Sequence, residues 1–151
     1  MRGDAPDRPE GYAAIDHTAD RGLRAWGADL EALFRQAALG LAAMLTDPAT
    51  VRRQHAATIE VSGIDLEELL ISWLGEILYR HESDGLLLAG CDELRITPQA
   101  GGFRLRARVA GEPRDPARHP AGAPVKAATY HNLRIAPDEN GLYEVTIIFD
   151  T

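Results

Sequence analysis

The sequence predicts an α+β domain, two amphipathic helices packed on one face of a largely antiparallel sheet. Three observations carry that reading. Two segments repeat apolar residues at three-and-four spacing, the signature of a helix with one buried face. Two short strand-like runs precede the first helix, and a third lies between the helices. Everything after the second helix alternates with period two between turn signals, and no long βαβ succession follows.

The elements follow in order. Gly11 to His17 alternates weakly and reads as a first strand, and Gly22 to Gly27 as a second. A helix opens at Asp29, whose carboxylate can cap free amides, and Glu31 suits the positive end of the helix dipole. Leu30, Leu33, Phe34, Ala37, Leu41, Met44 and Leu45 form its apolar stripe, and Thr46-Asp47-Pro48 ends it, since proline cannot continue a helix. Ala56 to Ser62 alternates as a strand. In the second helix Asp65 and Glu68 are spaced as a capping box, ahead of a stripe of Leu66, Leu69, Leu70, Trp73, Ile77 and Leu78. Gly27-Ala28-Asp29-Leu30-Glu31-Ala32-Leu33 and Gly63-Ile64-Asp65-Leu66-Glu67-Glu68-Leu69 repeat each other. Two copies cannot make a solenoid, so the repeat reads as one strand-to-helix turn used twice.

Leu86 to Leu88 and Asp92 to Thr97 are expected as separate strands, with Phe103 to Gly111 a clear period-two strand. Val125 to Ile135 and Leu142 to Phe149 are expected to form a hairpin across Asp138 to Gly141, where Asn-Gly suits positive φ. Between them, Glu112 to Pro124 carries four prolines and reads as a loop long enough to be mobile or functional.

Composition narrows the function. A chain of 151 residues, 45% of them hydrophobic, suits one domain with a real core, expected over residues 11–151 behind a disordered polar arm at 1–10. The single Cys91 excludes an internal disulfide framework and reads as inert packing. No apolar run approaches the roughly 20 residues that span a bilayer, and the arm lacks a signal-peptide core, so a cytoplasmic protein is expected. Net charge is -7, and the 16 Lys and Arg residues are scattered along the chain. With no basic stripe, direct nucleic-acid binding is not expected.

Candidate chemistry centres on carboxylates. Asp16-His17-Thr18-Ala19-Asp20 sits between the first two strands, and Phe149-Asp150-Thr151 ends the sequence. If the first and last strands lie together, Asp20, Asp150 and the terminal carboxylate of Thr151 converge. Such a cluster needs neutralising, and oxygen-only ligands favour calcium or magnesium over zinc. Solvated turn carboxylates are the alternative reading of the same residues. None of His17, His55, His81, His119 and His131 falls in a zinc spacing, and Ser62 and Ser72 lack a nucleophile elbow. His131 reads as a structural hydrogen-bonding residue, with a functional role as the alternative.

The N-terminal motif, with Gly22 and Gly27 following, resembles the signature of the archease family. The resemblance continues through Asp29 to Phe34, Asp65 to Leu70, Trp73 to Tyr79, Asp84-Gly85-Leu86, Val125 to Leu133 and Phe149-Asp150-Thr151. It spans nearly the whole chain from Gly11. The resemblance implies a small α+β domain acting as a protein cofactor of an RtcB-type RNA ligase, promoting ligase guanylylation and multiple turnover in tRNA splicing and RNA repair. It also implies a metal site, most simply calcium, at Asp20, Asp150 and Thr151, although the family usually ends on an aliphatic residue rather than a threonine. The competing class is a metal-dependent hydrolase using the same carboxylates to activate water.

Overall fold

The computed structural model describes residues 10–16 and 21–151; Met1 to Pro9 of the arm expected at 1–10 lie outside them. Glu10, the last residue of that arm, is held by the Arg35 guanidinium (3.0 Å) and by Gln36 of the first helix. Strands β1 (Gly11–Asp16) and β2 (Arg21–Gly27) form an antiparallel pair, followed by helix α1 (Leu30–Leu45) and a 3-10 turn at Pro48–Thr50. Strand β3 (His55–Gly63), helix α2 (Leu66–Asp84), β4 (Leu86–Gln99) and β5 (Gly102–Pro113) come next. Two short strands, β6 (Ala127–Ala128) and β7 (Ala136–Pro137), precede the last strand β8 (Tyr143–Asp150).

The α+β class holds, with the strands divided between two antiparallel sheets. The first is ordered β1-β2-β8-β6, with β7 also pairing β8; the second is β3-β5-β4. Helix α1 packs on β1, β2 and β8 of the first sheet and on β4 of the second, while α2 covers the second sheet and touches β6. Their shared core holds Phe34, Leu41, Leu69, Trp73, Ile147 and Phe149 at essentially zero exposure. Trp73 satisfies its one polar group there by donating Nε1–H to the Phe34 carbonyl (2.9 Å), which also ties α2 to α1.

Both helix starts are built as their sequences predict. Asp29 Oδ1 accepts from Ala32 N–H and Asp65 Oδ1 from Glu68 N–H, each at 2.8 Å. The capping box at α2 reaches one residue further back than the usual pattern, since Glu68 Oε1 accepts from Ile64 N–H. The repeated glycine has a steric cause. A Cβ at Gly27 would lie 2.6 Å from the Leu33 amide nitrogen, and one at Gly63 would lie 2.5 Å from that of Leu69. In both turns the first turn of the helix rests on the last strand residue, so a side chain is excluded by backbone that cannot rotate away.

Gly27→Ala and Gly63→Ala are each expected to cost about 1–3 kcal/mol through this overpacking. Gly75→Ala supplies the opposite sign. A Cβ on its exposed site in α2 meets nothing within 4 Å, so it should stabilise by roughly 0.5–1 kcal/mol through helix propensity. Thermal unfolding of the three variants checks all three signs.

Two expectations are corrected. Leu86 to Leu88 and Asp92 to Thr97 belong to one strand, interrupted by register shifts between Leu88 and Gly90 and between Cys91 and Glu93. Bulges break the alternation locally without ending the pairing, which is why the pattern looks like two strands. Of Val125 to Ile135, only Ala127–Ala128 (β6) is a strand. After β6 the chain turns at Tyr130, whose carbonyl accepts from Leu133 N–H, with Asn132 at φ 52. Only Ala136 and Pro137 rejoin β8, opposite Glu144 and Tyr143. The tight turn is at the expected place: Asp138 Oδ1 caps the amides of Asn140 and Leu142, and Gly141 takes φ 79.

Candidate metal centre at the end of the last strand

Strand β8 runs through the middle of the first sheet, with β2 on one side and β6 and β7 on the other. Phe149 is fully buried and anchors its end, whereas Asp150 and Thr151 are exposed. The backbone around them is fixed from the β6 side. Lys126 N–H donates to the Asp150 carbonyl (2.8 Å), Ala127 is the register partner of Asp150, and Thr129 donates both N–H (2.9 Å) and Oγ1–H (2.8 Å) to the Ile148 carbonyl. Among the described residues, no hydrogen bond or ion pair occupies the oxygens of the Asp150 carboxylate. It is therefore available as a hard donor, with the main-chain oxygen of Thr151 next to it.

Of the three sequence-predicted ligands, Asp150 and Thr151 are brought together and Asp20 lies outside the described residues, as do His17, Thr18 and Ala19. The described residue that follows Asp20, Arg21, is the register partner of Phe149. Asp16 closes β1 as the partner of Arg21. Among the described residues no three His, Cys, Asp or Glu side chains gather as a metal site. An all-oxygen donor set at Asp150 and Thr151 fits calcium or magnesium by its chemistry and does not fit a soft metal.

A cavity of about 690 Å³ opens beside this strand end, lined by Leu78, His81, Glu82, Gly85, Arg114, Val125 and Lys126. His81 is committed to the backbone, donating Nδ1–H to the Leu86 carbonyl (3.0 Å) at the end of α2. Cys91 is a buried free thiol, and that burial pushes it up to about 11, which disfavours the reactive thiolate.

The segment following β5 is tied to the rest of the fold through a buried polar cluster. Glu112 and His119 are each only 1% exposed and form a buried pair, His119 Nε2–H donating to Glu112 Oε2 at 3.0 Å. Asp115 N–H donates to His119 Nδ1 (2.7 Å), so a neutral imidazole satisfies both neighbours. The same carboxylate accepts Arg52 N–H (2.7 Å) and the Arg118 guanidinium (2.5 Å). The Arg118 guanidinium, first, and these other donors hold the Glu112 carboxyl down to about 2 despite its burial. Thr46 Oγ1–H to the Pro120 carbonyl and Ala123 N–H to the Met44 carbonyl, both 2.7 Å, then strap the loop to the end of α1. A glutamate closing a strand and a histidine amid prolines gave no sequence signal of this pairing.

The scattered basic residues are also corrected. Folding places Arg95, Arg104, Arg106 and Arg108 together on the outer face of the second sheet, because β5 exposes alternate residues and its register brings Arg95 opposite Arg106.

Comparison with known proteins agrees with this architecture. Residues 12–151 match the model of the Archease protein family (MTH1598/TM1083). Protein archease of Methanopyrus kandleri is 41% identical over 128 residues, covering 85% of this chain and 91% of that protein. A Drosophila melanogaster protein named archease-like is 35% identical over 141 residues, covering 92% and 89% respectively. The solution structure of Methanobacterium thermoautotrophicum protein 1598 superposes with a TM-score of 0.79 at 31% identity, covering 93% of this chain and 99% of that one. With nearly the whole chain matched in sequence and in fold, this protein belongs to the archease family.

Proposed function

We propose that this protein is a cytoplasmic, non-catalytic cofactor of an RtcB-type RNA ligase, acting in tRNA splicing and RNA repair. In this reading it promotes guanylylation of the ligase and so sustains repeated turnover. A calcium-type site at Asp20, Asp150 and Thr151 forms its working tip. The observation that carries the reading is the family membership over residues 12–151. The β2–β8 register supports the metal site. Arg21 and Phe149 are partners, Asp20 is bonded to Arg21, Asp150 is bonded to Phe149, and successive Cα atoms are about 3.8 Å apart.

The chemistry follows from the donor count. Two carboxylates and a main-chain oxygen cannot fill the six to eight positions that calcium prefers, which leaves some open to water or to groups of a partner. When bound, the ion supplies a positive centre able to organise phosphate or carboxylate oxygens. The residues of this chain do the positioning: buried Phe149 fixes the strand, and Lys126 and Thr129 hold the Asp150 and Ile148 carbonyls, so that Asp150 is presented at the bonded end of β8. An acidic tip on a chain of net charge -7 is also guided toward a cationic nucleotide- or metal-binding cleft.

The test is ligation of broken RNA with ligase limiting and GTP in excess. Product is expected to exceed the number of ligase molecules only when this protein is present. Equal product with and without it, using a ligase from the same source, would remove the proposal. Among the described residues no helix is long and apolar enough to cross a membrane.

A further inference from the structure

We propose that the outer face of the second sheet is a docking surface for the phosphate backbone of RNA. On β5, Arg104, Arg106 and Arg108 are exposed while Leu105, Ala107 and Val109 between them are buried. The register sets Glu60 and Arg95 on either side of Arg106, Thr58 and Glu93 beside Arg108, and Ser62 and Thr97 beside Arg104. Four arginines therefore share the face with two glutamates, in a chain whose net charge is -7. One arginine is neutralised, since Glu60 pairs with Arg104. Arg95, Arg106 and Arg108 have no ion pair and no side-chain hydrogen bond among the described residues. Thr58, Glu93, Arg95, Arg106, Ala107 and Arg108 line a cavity of about 300 Å³ between them.

Fold stability does not account for this arrangement. Arg95 and Arg106 are direct cross-strand partners, and like charges so placed weaken a sheet. Glu60, the other neighbour of Arg106, gives its carboxylate to Arg104 instead. Three unpaired guanidiniums present planar forks matched to phosphate oxygens.

The rest of the face selects the occupant. Its side chains are Thr58, Glu60, Ser62, Glu93, Thr97 and the arginines, with no aromatic or large aliphatic anchor. A stable protein interface needs a desolvated apolar centre, which this face lacks. Sequence reading of single-stranded bases needs aromatic platforms, which are also missing. A flat array of arginines suits the backbone of a folded RNA, bound without regard to sequence. The choice of RNA among phosphate polymers rests on the ligase partnership proposed above. The binding itself is measured without the ligase, so the two readings fail separately.

With about three phosphates neutralised, affinity should fall with salt at a log–log slope near -2.7. Binding then weakens by roughly two hundred-fold between about 20 and 150 mM salt, so the isolated protein releases RNA at physiological ionic strength. The face acts on RNA already held by a partner, where effective concentration is high.

The experiment is fluorescence anisotropy of a labelled RNA hairpin titrated with the full chain across that salt range. Salt-sensitive binding at low salt is expected, with Arg106→Gln and Arg95→Gln each reducing affinity several-fold and lowering the slope by about one. Both residues are exposed and mutually repelling, so both variants should melt no lower than the parent, which keeps a folding defect from passing as lost binding. An Asp150→Asn variant should bind the hairpin like the parent. No binding at low salt, or binding indifferent to both arginine substitutions, overturns the proposal. Equal competition by polyglutamate of matched charge also overturns it and assigns the face to an acidic protein.

Discussion

Asp150→Asn is expected to abolish stimulation of multiple-turnover ligation while leaving the fold intact. The residue is exposed, follows the last core residue Phe149, and has no side-chain partner to lose among the described residues. Substitutions of that kind change stability by no more than about 0.5 kcal/mol. The cost falls instead on the metal, because an amide donates one neutral oxygen where calcium draws on a charged pair. In the parent, calcium at about a hundred times its Kd should stabilise by about 2.7 kcal/mol, a rise in Tm of roughly 5–10 °C for a chain of this size. Asp150→Asn and Asp20→Asn should both erase that rise and keep the melting point measured in chelator. A tag fused after Thr151 should act like the substitution, since a single residue separates it from Asp150, whereas a tag ahead of Met1 should be harmless. Product per ligase molecule and melting with calcium or chelator are the two readouts. Full stimulation by Asp150→Asn together with an unchanged calcium response would place the working site elsewhere.

What the sequence made legible was local chemistry. Both helices, their Asp caps and their buried stripes could be read because each depends on residues within one or two turns. The duplicated Gly-x-Asp turn was visible as a repeat, and the structure supplies its reason in the contacts of Gly27 and Gly63 with the helix backbone. Features that depend on register were not legible. The bulges of β4 hide its continuity, and the alternating arginines of β5 become a cationic face only once Arg95 is brought opposite Arg106. Val125 to Ile135 has the composition of a strand, yet after Thr129 the chain closes a turn from Tyr130 to Leu133 with Asn132 at φ 52, which takes it out of the ladder with β8. At the candidate metal site, Asp150 and Thr151 could be singled out by chemistry, whereas the expected convergence with the N-terminal motif rests on a strand pairing, β2 beside β8, that no local pattern announces.

Glu112→Gln is expected to lower Tm substantially, on the order of 10 °C, since it removes the charge from a buried and fully bonded carboxylate. Glu112 Oε2 receives Arg52 N–H and His119 Nε2–H, and Oε1 receives the Arg118 guanidinium. An amide offers one acceptor and one donor group, so whichever way it turns, an N–H group is left facing another donor. The pH dependence has a definite sign. The folded carboxyl is held near 2, below its usual value of about 4.3, so its contribution to stability is complete above that usual value. It is lost as pH falls from there toward 2, where the folded state also takes up the proton. The parent should therefore lose more Tm than Glu112→Gln between about pH 4.5 and pH 2, and the two curves should converge at the acid end. The same substitution reaches function indirectly. Arg118 and His119 hold the loop that leads to Lys126 and β6, and β6 flanks Asp150. Ligase stimulation by Glu112→Gln at low temperature should be reduced less than by Asp150→Asn and should decline as temperature rises. A variant that melts with the parent across the whole pH range would show that this buried cluster contributes nothing to holding the loop.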